Sequence, residues 1–302
     1  MSNLAEIVPD TEHRGLIAAL PQPLRDLAQL ARFDRPIGWW LLFWPCAWGL
    51  LLAGGQGRWD LLLWFLLGSI AMRGAGCVYN DIVDADLDRQ VARTAARPVA
   101  SGRISKGAAW AWLLALCGVG LVVLLQLRWQ AQLVALGSLA LVAAYPFMKR
   151  ITGFPQAWLG MVFTWGVPVG WIAVSDGNLG AMAALYAGAV LWCIGYDTIY
   201  ACQDREDDAL VGIGSSALTL GKHVKAGVAA FYAGAVLLWA LAFWLLRPDW
   251  LALLALAPAA LHLTWQVLTL DDRDGENALA RFRANRTAGL LVALACWVVG
   301  NA

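Results

Sequence analysis

Charge is scarce in this chain of 302 residues: Asp, Glu, Lys and Arg make up 14% of it, whereas 60% of the residues are hydrophobic. Soluble domains carry about 25% charged residues, so the deficit excludes a soluble enzyme. The 18 tryptophans agree with this conclusion, because Trp favours the interfaces of a bilayer. The composition therefore predicts an integral membrane protein.

Several common site motifs are also missing. The six cysteines lie in or beside apolar segments, without a CxxC pair or a disulfide-like spacing. They are therefore expected to pack as small apolar side chains. The three histidines, His13, His223 and His262, are scattered. The run GIGSSALTLGK lacks the ending of a phosphate-binding loop, so no nucleotide site is predicted. Nothing in the chain indicates a nucleic-acid partner.

Nine apolar segments follow a polar lead-in of residues 1–34, which is expected to form an N-terminal arm before a polytopic domain of residues 35–302. Spanning a bilayer takes about 20 residues, so the shorter segments must extend into their flanks. The predicted spans are Ile37–Ala53, Leu61–Tyr79, Ala108–Leu127, Leu133–Phe147, Pro155–Val174, Ala181–Ala201, Val228–Leu246, Leu251–Leu270 and Ala288–Val299.

The basic residues are unevenly distributed among the loops. Most of the 22 lysines and arginines lie in the N-terminal arm and in alternate loops, while the intervening loops carry only Arg58, Arg128 and Arg247. The positive-inside rule then predicts a cytoplasmic N-terminus and a C-terminus on the opposite side. Because the first residues are rich in acids and transit peptides are not, we expect a bacterial cell inner membrane rather than a mitochondrial one.

A row of polar side chains ends the second apolar segment. Asn80, Asp84 and Asp88 are four residues apart, so on a helix each is displaced by only about 40° from the last and all share one face. Arg73 and Cys77 continue this face towards the membrane. Carboxylates at the end of an apolar helix are costly unless a cation lies against them. The simplest such cation is Mg²⁺, which takes oxygen ligands.

A second acidic helix end repeats the pattern. Asp197, Asp204 and Asp208 are spaced to share one helical face, and the loop that follows is again basic. Both acidic ends open to the predicted cytoplasmic side, so they can converge on one cavity. Two carboxylate clusters can hold Mg²⁺ ions that in turn bind a phosphorylated substrate. Lys149 and Arg150 supply additional positive charge.

A diphosphate with a hydrocarbon tail suits a site at the membrane face. Stabilising the diphosphate as a leaving group lets its allylic carbon ionise, and an electron-rich acceptor then captures the cation.

Simpler interpretations remain open. Either acidic cluster alone could be a solvated loop, and Arg73 could extend to the interface without taking part in a site. The chain could also be a transporter that uses intramembrane acids for ion coupling. Against a transporter, the acids gather at helix ends rather than at mid-membrane.

Three motifs resemble those of the UbiA superfamily of intramembrane prenyltransferases. The run NDIVDADLD (Asn80–Asp88), followed by RTAARPVASGRIS, resembles the first signature of the superfamily. DREDD (Asp204–Asp208) resembles the second aspartate motif, and YPFMKR (Tyr145–Arg150) resembles the YxxxK element. The stretches FDRPIGWWLLFWPCAWGL and MRGAGCVYND resemble the branch that acts on 4-hydroxybenzoate. The resemblance spans nearly the whole chain.

The resemblance implies an all-α bundle of about nine transmembrane helices around a central cavity, with cytoplasmic cap loops. It implies transfer of a polyprenyl group from polyprenyl diphosphate to the carbon ortho to the hydroxyl of 4-hydroxybenzoate, in a lipid membrane. Other acceptors, such as a naphthoate, homogentisate, a porphyrin or a phosphosugar, stay open.

The resemblance also assigns roles to residues of this chain. The positions that match its Mg²⁺ ligands are Asn80, Asp84, Asp88, Asp204 and Asp208. Those that match or surround its diphosphate-binding element are Tyr145, Lys149, Arg73 and Arg97. Arg35 or Arg150 is expected to hold the carboxylate of the acceptor, and Asp197 to lie near it. Asp84, Asp204, Lys149 and Arg150 are the expected catalytic residues. Asp204 and the released diphosphate are both candidates for taking the ring proton.

Overall fold

The computed structural model describes residues 14–90, 94–205 and 214–301. Within helices it describes only the backbone of Arg14, Pro146, Lys149, Arg150 and Asp204. All regular secondary structure in these ranges is helical. The α-helices are α1 (Arg14–Ala18), α2 (Gln22–Leu30), α3 (Ile37–Leu52), α4 (Trp59–Val83), α5 (Ala85–Asp88), α6 (Lys106–Leu124), α7 (Trp129–Ile151), α8 (Pro155–Phe163), α9 (Gly166–Ile172), α10 (Leu179–Ala201), α11 (Ser216–Leu220), α12 (Val224–Leu246), α13 (Trp250–Leu254), α14 (Ala257–Leu268) and α15 (Gly275–Gly300).

Six helical stretches are long and apolar enough to cross a membrane. They are Trp59–Val83, Lys106–Leu124, Leu179–Ala201, Ser216–Leu246, Trp250–Leu268 and Gly275–Gly300. Two shorter apolar helices, Ile37–Leu52 and Trp129–Tyr145, accompany them. The all-helical membrane class is confirmed, whereas the count of nine spans is not. Each predicted segment nevertheless coincides with one helix or with two consecutive ones.

Proline divides two of the predicted segments. The segment expected over Pro155–Val174 breaks between α8 and α9, shortly before Pro168. The segment expected over Leu251–Leu270 breaks between α13 and α14, where Pro258 stands in the first turn of α14. Proline has no N–H and its ring clashes with the preceding turn, so the helix is interrupted upstream of it.

The chain divides into two compact units, each with its own core. One unit comprises the described residues of Met1–Trp40 and Trp64–Gln126. Its apolar core is formed by side chains from α2, α4 and α6 and from the loop between α5 and α6, and includes Leu30, Val78, Ile82, Val99 and Leu113. This core fixes the end of α4, where the acidic row lies.

The second unit comprises Leu41–Leu63 and the described residues of Leu127–Ala302. Helix α10 is its centre and packs along α12, with α8 and α15 also against it. Helices α3 and α9 approach so closely that a Cβ on Gly170 would lie 2.1 Å from the carbonyl oxygen of Cys46. The predicted close packing at Gly166 and Gly170 is therefore present.

Large apolar side chains also cover the outside of several helices. Leu114 and Leu121 of α6, Leu237 of α12 and Leu261 of α14 are all more than half exposed. Exposed apolar surface on this scale is unfavourable in water and suits contact with lipid chains. The exposed faces thus agree with a membrane location.

Candidate active site

The predicted row of polar side chains keeps its helical register across a break in the helix. Helix α4 ends at Val83, and Asp84 (φ −93°, ψ 5°) joins it to α5. The N–H of Asp84 donates to the carbonyl of Asn80 at 2.8 Å, and the N–H of Asp88 donates to that of Asp84 at 2.8 Å. Asn80 and Asp84 are half-buried and Asp88 is buried. The row therefore offers three oxygen-bearing side chains in successive turns.

Asp88 is paired with an arginine from the loop that follows. Nη1 of Arg97 lies 2.9 Å from Oδ2 of Asp88, and the Thr94 hydroxyl donates to the Asp88 carbonyl at 3.0 Å. Burial raises the pKa of the Asp88 carboxyl above its ordinary value, and the charge of Arg97 opposes this shift. A buried carboxylate that needs a cation beside it is suited to hold a metal ion.

Asp81 belongs to the same cluster, although no role was predicted for it. Its carboxylate accepts two hydrogen bonds of 3.0 Å from Nη2 of Arg32 and one of 3.3 Å from Arg97. Burial works against the charge of Arg32, but the surrounding negative charges, Asp81 foremost, outweigh it and raise the pKa of the guanidinium. The partners are 49 residues apart in sequence, so no local spacing could have revealed them.

Arg73 lies on the predicted face. Its guanidinium donates to the sulfur of Cys77, one turn towards the acidic row. The start of α3 comes so close that a Cβ on Gly38 would lie 2.7 Å from Nε of Arg73. Arg35, a candidate for the acceptor carboxylate, lies between α2 and α3 with its Nε 3.4 Å from the carboxylate of Asp34. Both arginines belong to the unit that carries the acidic row.

The remaining predicted residues belong to the second unit. Tyr145 is half-buried in α7, and Lys149 and Arg150 stand in the last turns of that helix. Asp197 is half-buried in α10, and Asp204 ends the 3₁₀ turn Cys202–Asp204 that follows it. Asp208 lies outside the described residues. The predicted convergence of the two acidic ends stays a prediction.

The donor set of the first acidic end fits Mg²⁺. Across residues 14–90, 94–205 and 214–301, no three His, Cys, Asp or Glu side chains already form a cage for a metal. Mg²⁺ does not need such a cage, because it usually binds through one or two carboxylates and keeps waters or phosphate oxygens as its other ligands. The half-buried oxygens of Asn80 and Asp84, next to the carboxylate of Asp88, match this demand.

A polar network in the second unit also went unpredicted. Oδ1 of Asn285 accepts from the indole N–H of Trp192 at 2.8 Å and from the hydroxyl of Tyr232 at 3.2 Å. Its Nδ2 donates to Oε1 of Gln266 at 2.9 Å. All four side chains are buried and come from α10, α12, α14 and α15. The network connects the helices around Asp197, and its long sequence separations hide it from periodicity arguments.

Fold and site together define a class: an all-helical membrane protein with carboxylates and arginines gathered at a helix end. Comparison with known proteins makes the assignment specific. The chain belongs to the UbiA prenyltransferase family, whose model matches residues 42–294. It is therefore a prenyl-transferring enzyme, and the alternative of an ion-coupled transporter is set aside.

Relatives with curated names cover most of the chain. It is 41% identical over 292 residues to the mitochondrial 4-hydroxybenzoate polyprenyltransferase of Drosophila pseudoobscura pseudoobscura. The aligned region covers 95% of this chain and 74% of that protein. It is also 41% identical over 294 residues to the human enzyme of the same name, covering 95% of this chain and 78% of that protein.

Solved structures share the fold. The apo structure of a UbiA homolog from Aeropyrum pernix K1 is 28% identical, with a TM-score of 0.70 over 86% of this chain and 97% of that one. A UbiA homolog from Archaeoglobus fulgidus bound to GPP and Mg²⁺ is 18% identical, with a TM-score of 0.65 over 92% of this chain and 100% of that one. At that identity the second likeness concerns the fold alone.

The predicted location in a bacterial cell inner membrane is wrong. The curated relatives, from insects, a nematode, mammals and a plant, are named as mitochondrial enzymes. The predicted cytoplasmic location of the N-terminus and active site is withdrawn as well, because it assumed that compartment. The acids Glu6, Asp10 and Glu12 bear only on a cleavable leader at that point of the chain, so they could not decide where the enzyme works.

Proposed function

We propose that this chain transfers a polyprenyl group from polyprenyl diphosphate to the carbon ortho to the hydroxyl of 4-hydroxybenzoate. The names of the relatives at 41% identity support this acceptor. The observation that carries the proposal is the row of Asn80, Asp84 and Asp88 with the guanidinium of Arg97 at its end. Oxygen ligands for a divalent cation and a donor for phosphate stand side by side there.

The metal-binding part of the site is assigned to the two acidic helix ends. The residues that would hold Mg²⁺ are Asn80, Asp84 and Asp88 in the first acidic motif and Asp204 and Asp208 in the second. When bound, Mg²⁺ neutralises the charge that develops on the diphosphate leaving group. The buried position of Asp88 makes its carboxylate a stronger partner for a cation than an exposed one would be.

The basic side chains bind and orient the diphosphate. Arg73 lies before the first acidic row and Arg97 after it, and Tyr145 and Lys149 lie on α7. Guanidinium groups suit this task, because their planar N–H donors match the spacing of phosphate oxygens. Donors fixed before the reaction stabilise the leaving group as the allylic C–O bond breaks. Lys149 and Arg97 are thus expected to act on the rate as well as on binding.

The acceptor is held by its carboxylate and loses one ring proton. Arg35 or Arg150 pairs with the carboxylate, and Asp197 lies beside the ring. The prenyl cation forms a bond with the ring carbon ortho to the hydroxyl, and the proton at that carbon then leaves to Asp204 or to the released diphosphate. The prenyl tail lies among apolar helices and membrane lipid, which keep water away from the cation.

A competition assay tests the acceptor. Membranes that contain the protein receive geranyl diphosphate, Mg²⁺ and equal amounts of 4-hydroxybenzoate, a hydroxynaphthoate and homogentisate, and the products are identified by mass spectrometry. The proposal requires prenyl-4-hydroxybenzoate as the main product. If another acceptor alone is prenylated, the family assignment stands and 4-hydroxybenzoate is not the acceptor.

A further inference from the structure

We propose that Asp81 is a positioning residue: it holds Arg97 at the diphosphate site and is itself held by Arg32. The inference rests on the proposed function, since it concerns the same site. None of the roles assigned above involves Asp81 or Arg32. Asp81 stands directly after Asn80 of the acidic row, yet its surroundings are those of a structural ion pair.

The carboxylate of Asp81 is committed to arginine. Its side chain is 3% exposed, and both of its oxygens lie 3.0 Å from Nη2 of Arg32. A charge removed from water in this way is costly unless good partners surround it. The two guanidinium groups of Arg32 and Arg97 supply them, and with Asp88 they form a group of two positive and two negative charges. Asp81 therefore holds arginines in place, whereas Asn80 and Asp84 are only half-buried at the end of the helix.

Arg32 is anchored independently of Asp81. Its backbone is left-handed, with φ at 58°, just after α2 ends. Residues with a side chain rarely adopt this conformation, so the surrounding structure must fix it. The second nitrogen, Nη1, donates to the carbonyl of Gln29 at 2.8 Å. The guanidinium of Arg32 is thus held in place and can in turn position the carboxylate of Asp81.

Arg97 is shared between a structural acid and a site acid. One nitrogen, Nη1, lies 3.3 Å from Oδ1 of Asp81 and 2.9 Å from Oδ2 of Asp88. If Asp88 turns to a metal ion, Arg97 keeps Asp81 as its anchor. Its other N–H donors can then meet phosphate oxygens, because a guanidinium carries five of them. Without Asp81, Asp88 would be the remaining carboxylate that pairs with Arg97 among the described residues, and Arg97 would compete with the metal for it.

The test uses Asp81→Asn, which keeps the shape of the side chain and removes its charge. We expect the KM for geranyl diphosphate to rise by about tenfold or more, because a displaced binding group acts strongly on a positioned substrate. The KM for 4-hydroxybenzoate should change less than about twofold. Titration of the purified protein with inorganic diphosphate and Mg²⁺ should show the same weakening without any turnover. The double variant Asp81→Asn/Arg97→Gln should bind diphosphate no more weakly than Arg97→Gln, because Asp81 acts through Arg97.

Asp86→Asn is the matched control. Asp86 lies in α5, five residues after Asp81; its side chain is 74% exposed and, among the residues that the structure describes, pairs only with Arg89 and Lys106 at the surface, so its loss should leave both KM values unchanged. If Asp81→Asn does not fold, Arg32→Lys replaces it. Lysine has one nitrogen where Arg32 uses Nη1 for Gln29 and Nη2 for Asp81, so we expect a smaller rise in the same KM.

Two results overturn the inference. One is a lowered melting temperature of Asp81→Asn with unchanged diphosphate binding, and the other is additive losses in the double variant. A wild-type protein that transfers no prenyl group would instead contradict the proposed function. The diphosphate titration would still judge the role of Asp81 in that case.

Discussion

Asp81 and Asp84 stand three residues apart at the same helix end, but their surroundings separate their roles. Asp81 is buried against Arg32 and Arg97, whereas Asp84 is half-buried at the junction of α4 and α5. The spacing of Asn80, Asp84 and Asp88 could be predicted because it depends only on helical periodicity. The ion pair of Asp81 could not, because it depends on how α2 folds back onto α4.

The metal-ligand assignment predicts that Asp84→Ala and Asp204→Ala abolish prenyl transfer without disturbing the fold. The carboxylate of Asp84 is only half-buried and contributes little to stability, while a lost metal ligand removes charge stabilisation worth several kcal/mol from the reaction. We expect normal expression and insertion, with turnover reduced by at least about a thousandfold. Asp86→Ala serves as the control and should remain active. Wild-type turnover in both ligand variants would refute the assignment.

A second prediction at the scale of residues concerns the contribution of Asn285 to the stability of the fold. Asn285→Leu leaves the buried N–H of Trp192 without its acceptor, and such a loss costs about 1–3 kcal/mol, whereas the oxygen of Gln266 can still accept from the hydroxyl of Tyr232. The denaturation midpoint in detergent should fall clearly. Thr287→Ala, at an exposed position two residues along the same helix, should leave it unchanged. Equal midpoints for Asn285→Leu and wild type would show that the network does not support the fold.

At the scale of helices, hydropathy predicted which stretches are helical better than where they end. The segment expected over Leu61–Tyr79 is the helix Trp59–Val83, because polar residues at its end continue the backbone hydrogen bonds. A hydropathy window stops at polar residues, but a helix does not have to. The breaks before Pro168 and Pro258 agree with proline chemistry, but Pro45 lies inside α3 without ending it, so the prolines alone do not predict where a helix breaks.

The contact of α3 with α9 gives the prediction for helix packing. A methyl group on Gly170 would lie 2.1 Å from the carbonyl oxygen of Cys46 and 2.9 Å from the N of Leu50, so the helices must separate to admit it. Gly170→Ala should lower stability by about 1–3 kcal/mol. Gly118→Ala in α6 is the control, because a Cβ there meets nothing within 4 Å. A variant Gly170→Ala as stable as Gly118→Ala would contradict the close contact.

For the whole molecule, composition determined the class and motifs determined the family. Scarce charge and long apolar segments predicted a helical membrane protein, and the acidic rows predicted a metal-dependent prenyl transfer. The count of nine spans is not confirmed, because the described residues contain six helical stretches long and apolar enough to cross a membrane and two shorter apolar helices. The predicted compartment was wrong because acidic residues near Met1 bear only on whether a cleavable leader lies there. They carry no information about which membrane holds the folded enzyme.

The most direct test of the central claim is the dependence of product formation on metal and diphosphate. Membranes that contain the protein are incubated with labelled 4-hydroxybenzoate and geranyl diphosphate, either with Mg²⁺ or with EDTA. The account predicts a labelled lipid-soluble product that forms only when both Mg²⁺ and the diphosphate are present. Equal product formation in EDTA would contradict a metal-assisted departure of diphosphate. No product under any condition, from protein shown to be folded, would contradict the proposed transfer itself.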